Sequence, residues 1–200
     1  FFYDASTFSD NPSMAMYRPL QQTTLALNYA AGRLDPFGYH LLSTALHAVF
    51  CLLTWRLVTR LTGDGSRAWW LAVVLAVHPI NSQIVNYVSS RSGLLAAVGV
   101  MAGFLLATGA PPRSRAAAGV HLAALLSKST ALVLGPMVTM YEWGRATLVD
   151  RAPVLLGLVL STIVYLALAS ATGFLTGSVR SLVRPLHVQG FTQAKALAYY

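Results

Sequence analysis

The chain has 200 residues, of which 56% are hydrophobic and only 10% charged, with a formal net charge of +8 and a mean hydropathy of +0.58. Soluble domains carry about 25% charged residues, so a chain this apolar lacks the polar surface to face water on every side and reads as an integral membrane protein. Its Lys and Arg lie at the ends of apolar runs rather than along one face, which excludes nucleic acid as a partner and assigns the charge to membrane topology.

In chain order, residues 1–36 begin with the polar and aromatic stretch FFYDASTFSDNPSMAMYRP. It has no basic start before an apolar run, so it does not read as a signal peptide. The turn signal Asp35-Pro36 opens a first apolar helix from Phe37 to about Val58. After the polar loop 62–67, Trp69 and Trp70 mark an interface, and a second helix runs to His78-Pro79, where proline ends it. A polar segment from Asn81 to Arg91 leads to a third helix, Leu94 to Ala110. From Ala116 to Glu142 two short helices meet at Ser127-Lys128-Ser129, and a last one runs from Pro153 to Ser170. A crossing takes about 20 residues, so the short pair is expected to tilt, thin the bilayer or enter only partway. The fold expected is all-α: a polytopic transmembrane bundle of about six hydrophobic helices over residues 37–170, flanked by outer-face segments 1–36 and 171–200, the latter starting a further helix at Gln193. Runs rich in Ala, Leu and Val exclude the alternating strands of a membrane barrel.

Orientation follows from the short loops. Arg56, Arg60 and Arg67, then Arg113 and Arg115, then Arg145 and Arg151 fall on alternate loops, as the positive-inside rule requires. The same alternation puts residues 1–36, the 80–92 segment, Lys128 and residues 171–200 outside. Arg91 and Lys128 are then the basic residues on short outer loops, and cations there suit an anionic ligand such as a lipid phosphate. Asp4, Asp10, Asn11, Tyr17, Arg18, Asn28, His78, Asn81, Gln83 and Asn86 would gather on the same face. A carboxylate such as Asp4 opposite those cations has the chemistry of a general base. Plain alternatives stand beside each reading. Asp4 and Asp10 are equally solvated loop acids or caps, Arg18 a snorkelling or Asp10-paired side chain, and Arg91 and Lys128 phospholipid anchors. His40 and His47, seven apart with no third ligand, suit packing or interhelical hydrogen bonds rather than a metal. Ala72, Ala76, Ala96, Gly99 and Gly103 suit close helix approach. Cys51 lies within an apolar run and defines no disulfide framework.

Tyr3-Asp4, Asp10-Asn11-Pro12 and Tyr17-Arg18-Pro19-Leu20 resemble the first outer loop of the GT-C glycosyltransferases. The nearest branch is the protein O-mannosyltransferase-like group whose membrane domain often precedes tetratricopeptide repeats. The stretches LALNYAAGRLDPFGYHLLSTALHA, AVHPINSQIVNYVSSRSGLLA, LAALLSKSTALVLGP and TQAKALAYY continue the resemblance along nearly the whole chain. In that family a transmembrane helix precedes the aspartate loop and more helices follow, so the chain is expected to be a fragment of a longer protein.

The resemblance implies transfer of a sugar, mannose being the first candidate, from a polyprenyl-phosphate carrier to a protein or glycan hydroxyl, on the outer face and with inversion. Asp4 takes the place of the catalytic base. Arg91 and Lys128 take those of the residues holding the carrier phosphate, with Asp10, Asn11, Tyr17, Arg18 and His78 as further substrate contacts. The departures are Ala5, Gln83, Gly93 and Ser129, which stand where the family commonly has acidic residues. Their loss weakens the case for a divalent metal, and no cofactor is otherwise implied. The competing classes are a lipid-linked-sugar binding scaffold and a transporter. A transporter is disfavoured by the absence of an internal repeat and of acidic residues within the spans other than Glu142. The bacterial plasma membrane is the first expected location and the endoplasmic reticulum membrane the second.

Overall fold

The computed structural model describes residues 17–145 and 149–174. These divide between two compact units, one holding Arg18–Ala167 and a smaller one to which Tyr17 and residues 168–174 belong. Among the described residues every regular element is helical: α1 Pro19–Gly32, α2 Pro36–Thr62, α3 Gly65–Val77, α4 Ser82–Asn86, α5 Arg91–Ala107, α6 Ser114–Ser127, α7 Leu134–Trp143 and α8 Ala152–Ala171. Short 3-10 turns at Pro79–Asn81, Val88–Ser90 and Ser129–Val133 join α3 to α4, α4 to α5 and α6 to α7.

Local chemistry explains the boundaries. Pro19 and Pro36 occupy the first helical positions of α1 and α2, where a missing N–H costs nothing and the fixed φ favours the helix. The Asp35 carboxylate accepts from the Phe37 N–H at 3.1 Å. The Asp64 carboxylate accepts from the N–H groups of Ser66 and Arg67, each at 3.0 Å, and caps α3. The helix α3 stops at Val77 because Pro79 cannot continue it, and the chain bends by 52° into the Pro79–Asn86 segment.

Among the described residues three helices are long and apolar enough to cross a membrane: Pro36–Thr62, Val88–Ala107 and Ala152–Ala171. The bent pair Gly65–Val77 with Pro79–Asn86 makes a fourth if counted as one span. Each of the six apolar segments carries a helix, but α6 with 14 residues and α7 with 10 do not reach span length alone. An all-α membrane bundle therefore stands; among the described residues three or four helices reach span length, and the short pair falls below it as expected. A further difference is α1, since a helix occupies Pro19–Gly32 where an outer loop was expected. Its polar residues hid it: the helix has no long apolar stripe, yet Pro19 and Gln21 are buried.

The core runs along α5, whose closest neighbour is α6. A Cβ at Gly99 would lie 2.6 Å from the Ala124 Cβ, and one at Gly103 would lie 2.6 Å from a Leu134 methyl. At Gly99 the backbone of α6 is also within 3.3 Å of that Cβ, so α5 and α6 meet almost backbone to backbone, while Gly103 makes room for the Leu134 side chain of α7. Polar ties secure the rest. His121, 1% exposed, faces Ser161 Oγ on α8 through Nδ1 at 2.7 Å and the Ala131 carbonyl through Nε2 at 3.2 Å. The buried Glu142 carboxylate faces Arg151 Nε at 3.4 Å, and Arg151 also donates to the Gly109 carbonyl at 2.8 Å. Arg60, at the end of α2, donates to the carbonyls of Leu105 and Thr108 at the end of α5. Those contacts gather the ends of α2, α5 and α7 and the start of α8 at one end of the bundle. The break at Lys128, the start of α5 and the end of α1 lie at the opposite end.

In the smaller unit, the Tyr17 ring packs against Phe174 with centroids 5.1 Å apart. Thr172 Oγ1 donates back to the Leu168 carbonyl at 2.8 Å.

Candidate functional site

The first turn of α5 organises the end of the bundle opposite the Arg60 contacts. Arg91 begins that helix and is fully buried, at 0% exposure. Its Nη1 donates to Asn28 Oδ1 on α1 at 2.6 Å and its Nη2 to the Tyr39 carbonyl on α2 at 2.9 Å. The guanidinium carbon also lies 5.7 Å from the centre of the Tyr39 ring. Its Nε has no hydrogen-bond partner, and among the described residues no carboxylate pairs with it. Beside it, Arg18 Nη1 donates to Ser92 Oγ at 3.2 Å. Gln21 Nε2 donates to the Ser89 carbonyl at 3.2 Å, so α1 is laced to residues 89–92.

Lys128 sits at the break that ends α6, in extended backbone. A Cβ at Gly93 would lie 3.7 Å from its Nζ, so the absence of a side chain at 93 leaves room beside the ammonium. Among the described residues Nζ has neither a hydrogen bond nor an ion pair. It borders a pocket of about 300 Å³ whose walls include His47, Asn81, Ser90, Gly93 and Leu94. That is the lower end of the size range of small-molecule sites. His47 Nε2 contacts the Ala76 carbonyl at 3.3 Å, and Asn81 Nδ2 donates to the Leu75 carbonyl at 2.6 Å. Each residue thus fixes the α3 bend while presenting a face to the pocket. The setting combines two cations, the positive N-terminal end of a 17-residue helix and small polar groups. Such a setting attracts an anion.

The residues expected from the sequence are therefore distributed unevenly. Arg18 and Arg91 come together around the start of α5, and Lys128 approaches the same turn at Gly93. Arg91 is inward-facing, its two terminal nitrogens bonded within the protein. His78 is exposed, and its Nδ1 accepts from the Ile80 N–H at 3.2 Å, capping the 3-10 turn in the manner of a helix end. Tyr17 lies in the smaller unit. Asp4, Asp10 and Asn11, with Ala5, lie outside the described residues. Gln83 is exposed on α4, and Ser129 begins the turn after Lys128.

Sequence reasoning missed Ser90, Ser92, Gln21 and the buried face of His47. The available signal was Ser90-Arg91-Ser92-Gly93, where small residues flank a cation and leave space around it. Among the described residues no three His, Cys, Asp or Glu side chains gather as a metal-binding group.

No family model matches the chain, and no solved structure does. Curated proteins do. Protein O-mannosyl-transferase TMTC3 of Mus musculus is 40% identical over 97 residues, which is 48% of this chain and 10% of that protein. Protein O-mannosyl-transferase Tmtc3 of Drosophila melanogaster is 36% identical over 110 residues, 44% of this chain and 12% of that protein. Protein O-mannosyl-transferase TMTC4 of Mus musculus is 34% identical over 114 residues, 50% of this chain and 15% of that protein. The matched stretches thus span between a tenth and a sixth of the relatives' own length. The resemblance carried by the motifs stands: over about half its length this membrane chain is similar to protein O-mannosyl-transferases.

Proposed function

We propose that the chain is part of an integral membrane glycosyltransferase that moves a sugar, mannose by analogy with its relatives' names, from a polyprenyl-phosphate carrier to a protein hydroxyl. The observation that carries this reading is the Lys128 ammonium, without a partner among the described residues, beside the N-terminal turn of α5, where Gly93 leaves it room and Arg91 lies buried behind. Lys128 takes the carrier phosphate directly. Arg91, with its terminal nitrogens already bonded, acts as a positioning residue and a source of fixed positive potential. Arg18 and Ser92 extend the same polar surface. The remaining substrate contacts expected from the resemblance, Asp10, Asn11 and Tyr17, and the base Asp4 are proposed on motif grounds alone.

The chemistry is an inverting displacement. Asp4 takes the proton of the acceptor hydroxyl while its oxygen attacks the anomeric carbon from the side opposite the phosphate. The bond from that carbon to the phosphate oxygen breaks, and the departing phosphate carries its negative charge toward Lys128. No metal enters this scheme. The pocket end is placed on the periplasmic or lumenal side, a reading supported by the Arg-rich short loops at the other end. The bacterial plasma membrane is the first choice and the endoplasmic reticulum the second.

The test uses the full-length protein in proteoliposomes with a radiolabelled polyprenyl-phosphate sugar and hydroxyl acceptors. Asp4→Asn should lower transfer by roughly a hundredfold or more, the scale of a lost general base, with carrier binding retained. Lys128→Gln should weaken carrier binding, and Lys128→Arg should restore part of it. Transfer equal to wild type in both Asp4→Asn and Lys128→Gln would sink this assignment. Binding without transfer in every variant and in the wild type would point to the scaffold class.

A further inference from the structure

A second feature lies at the other end of the bundle, between the last turns of α2 and α5. There a groove of about 910 Å³ is lined by Leu53, Trp55, Arg56, Arg60, Leu106 and Arg113, among others. Its composition is divided: apolar residues of α2 and α5 line it together with three arginines, and among the described residues no acidic side chain does. The arginines are not equivalent. Arg60 is committed to the carbonyls of Leu105 and Thr108, where it neutralises the negative end of α5. Arg56 and Arg113 are exposed and make no ion pair among the described residues; the nearby Asp64 is taken by Arg67 at 2.9 Å. Trp55, edge-on to Trp69 with ring centres 6.4 Å apart, marks the depth of the membrane–water boundary. A groove at that boundary that combines an apolar lining with cations matches one molecule class, a lipid with an acyl chain and an anionic head group.

We propose that this groove is a binding site for an anionic glycerophospholipid of the leaflet at that end, with Arg56 and Arg113 on its phosphate and the acyl chain between α2 and α5. The site is separate from the Lys128 pocket and does not rest on the glycosyltransferase reading. Charge complementarity selects the occupant: a zwitterionic phosphatidylcholine would leave the surplus of guanidinium charge unmatched. The lipid would bridge the ends of α2 and α5, which the protein itself joins there through Arg60.

The test is native mass spectrometry of the full-length protein, released from vesicles of equal phosphatidylglycerol and phosphatidylcholine. The wild type should retain phosphatidylglycerol preferentially. Arg56→Gln combined with Arg113→Gln should reduce that retention roughly twentyfold, since each surface cation contributes severalfold to anionic-lipid affinity. Arg115→Gln, which removes a nearby charge outside the groove, should leave it unchanged. Ala102→Trp, which fills the apolar wall while keeping every charge, should also displace the lipid. Equal retention of the two lipids, or phosphatidylglycerol retention indifferent to the double variant, would overturn the proposal. So would displacement of the lipid by an added polyprenyl phosphate at stoichiometric concentration, which would reassign the groove to the carrier.

Discussion

Arg91 has a buried charge, two hydrogen bonds and, among the described residues, no carboxylate partner. Two effects oppose each other there. Each hydrogen bond from a charged donor contributes about 1.5–3 kcal/mol, while burying the ion costs several kcal/mol. The two nearly cancel, so the charge is not kept for stability. Arg91→Met removes the burial cost but leaves the Asn28 and Tyr39 oxygens without their donor, so it should lower the unfolding free energy by about 1–3 kcal/mol and weaken carrier-lipid binding about tenfold. Thermal unfolding in detergent and a lipid-binding titration would check both. A large loss of stability with unchanged binding would make Arg91 a structural tie only. Charge and position singled out Arg91 and Lys128 in the sequence, because cations on short outer loops break the usual bias. What each does was not legible there. The difference lies in partners far away in the chain, Asn28 and Tyr39 for Arg91 and a vacant Cβ at Gly93 for Lys128.

Among the elements, α5 is the one whose sequence most closely foretells its packing. Gly99 and Gly103 stand one turn apart, and each faces a neighbour too close for a methyl group. Gly119 on α6 is of the same residue type but has no atom within 4 Å of an added Cβ. Gly99→Val should cost about 1–3 kcal/mol through overpacking against Ala124. Gly119→Ala should stabilise by up to about 1 kcal/mol through helix propensity. Unfolding midpoints of the two variants should therefore move in opposite directions, and movement in the same direction would contradict the packing described. Apolar runs located α2, α3, α5, α6, α7 and α8, but not α1, whose residues are mixed in polarity. It is held instead by Gln21 to Ser89, Asn28 to Arg91 and Arg18 to Ser92. Side chains that bond across long sequence separations leave no trace in the pattern of apolar runs.

For the molecule as a whole, the Arg60, Arg151 and Glu142 contacts gather one set of helix ends, while Lys128 and the start of α5 lie at the other. Exposed Asn86 and exposed Arg115 should then lie on opposite sides of the membrane. The single cysteine of the chain, Cys51, is buried and supplies a quiet background. Asn86→Cys should react with an impermeant maleimide on one side of sealed vesicles, and Arg115→Cys only from the other. Labelling of both from one side would show that α5 does not cross.

Composition and the spacing of apolar runs determined by themselves that this is an all-α membrane protein, where its main helices lie and which loops carry the surplus positive charge. They do so because hydrophobic transfer and loop charge are local, additive properties of the residues. Tertiary structure alone decided how many of those helices reach span length, that His78 caps a turn rather than facing the pocket, and that Arg91 is turned inward while Lys128 has no partner among the described residues. The Arg91 and Lys128 outcomes depend on hydrogen bonds and close approaches between residues tens of positions apart, and such pairings have no signature in a linear pattern.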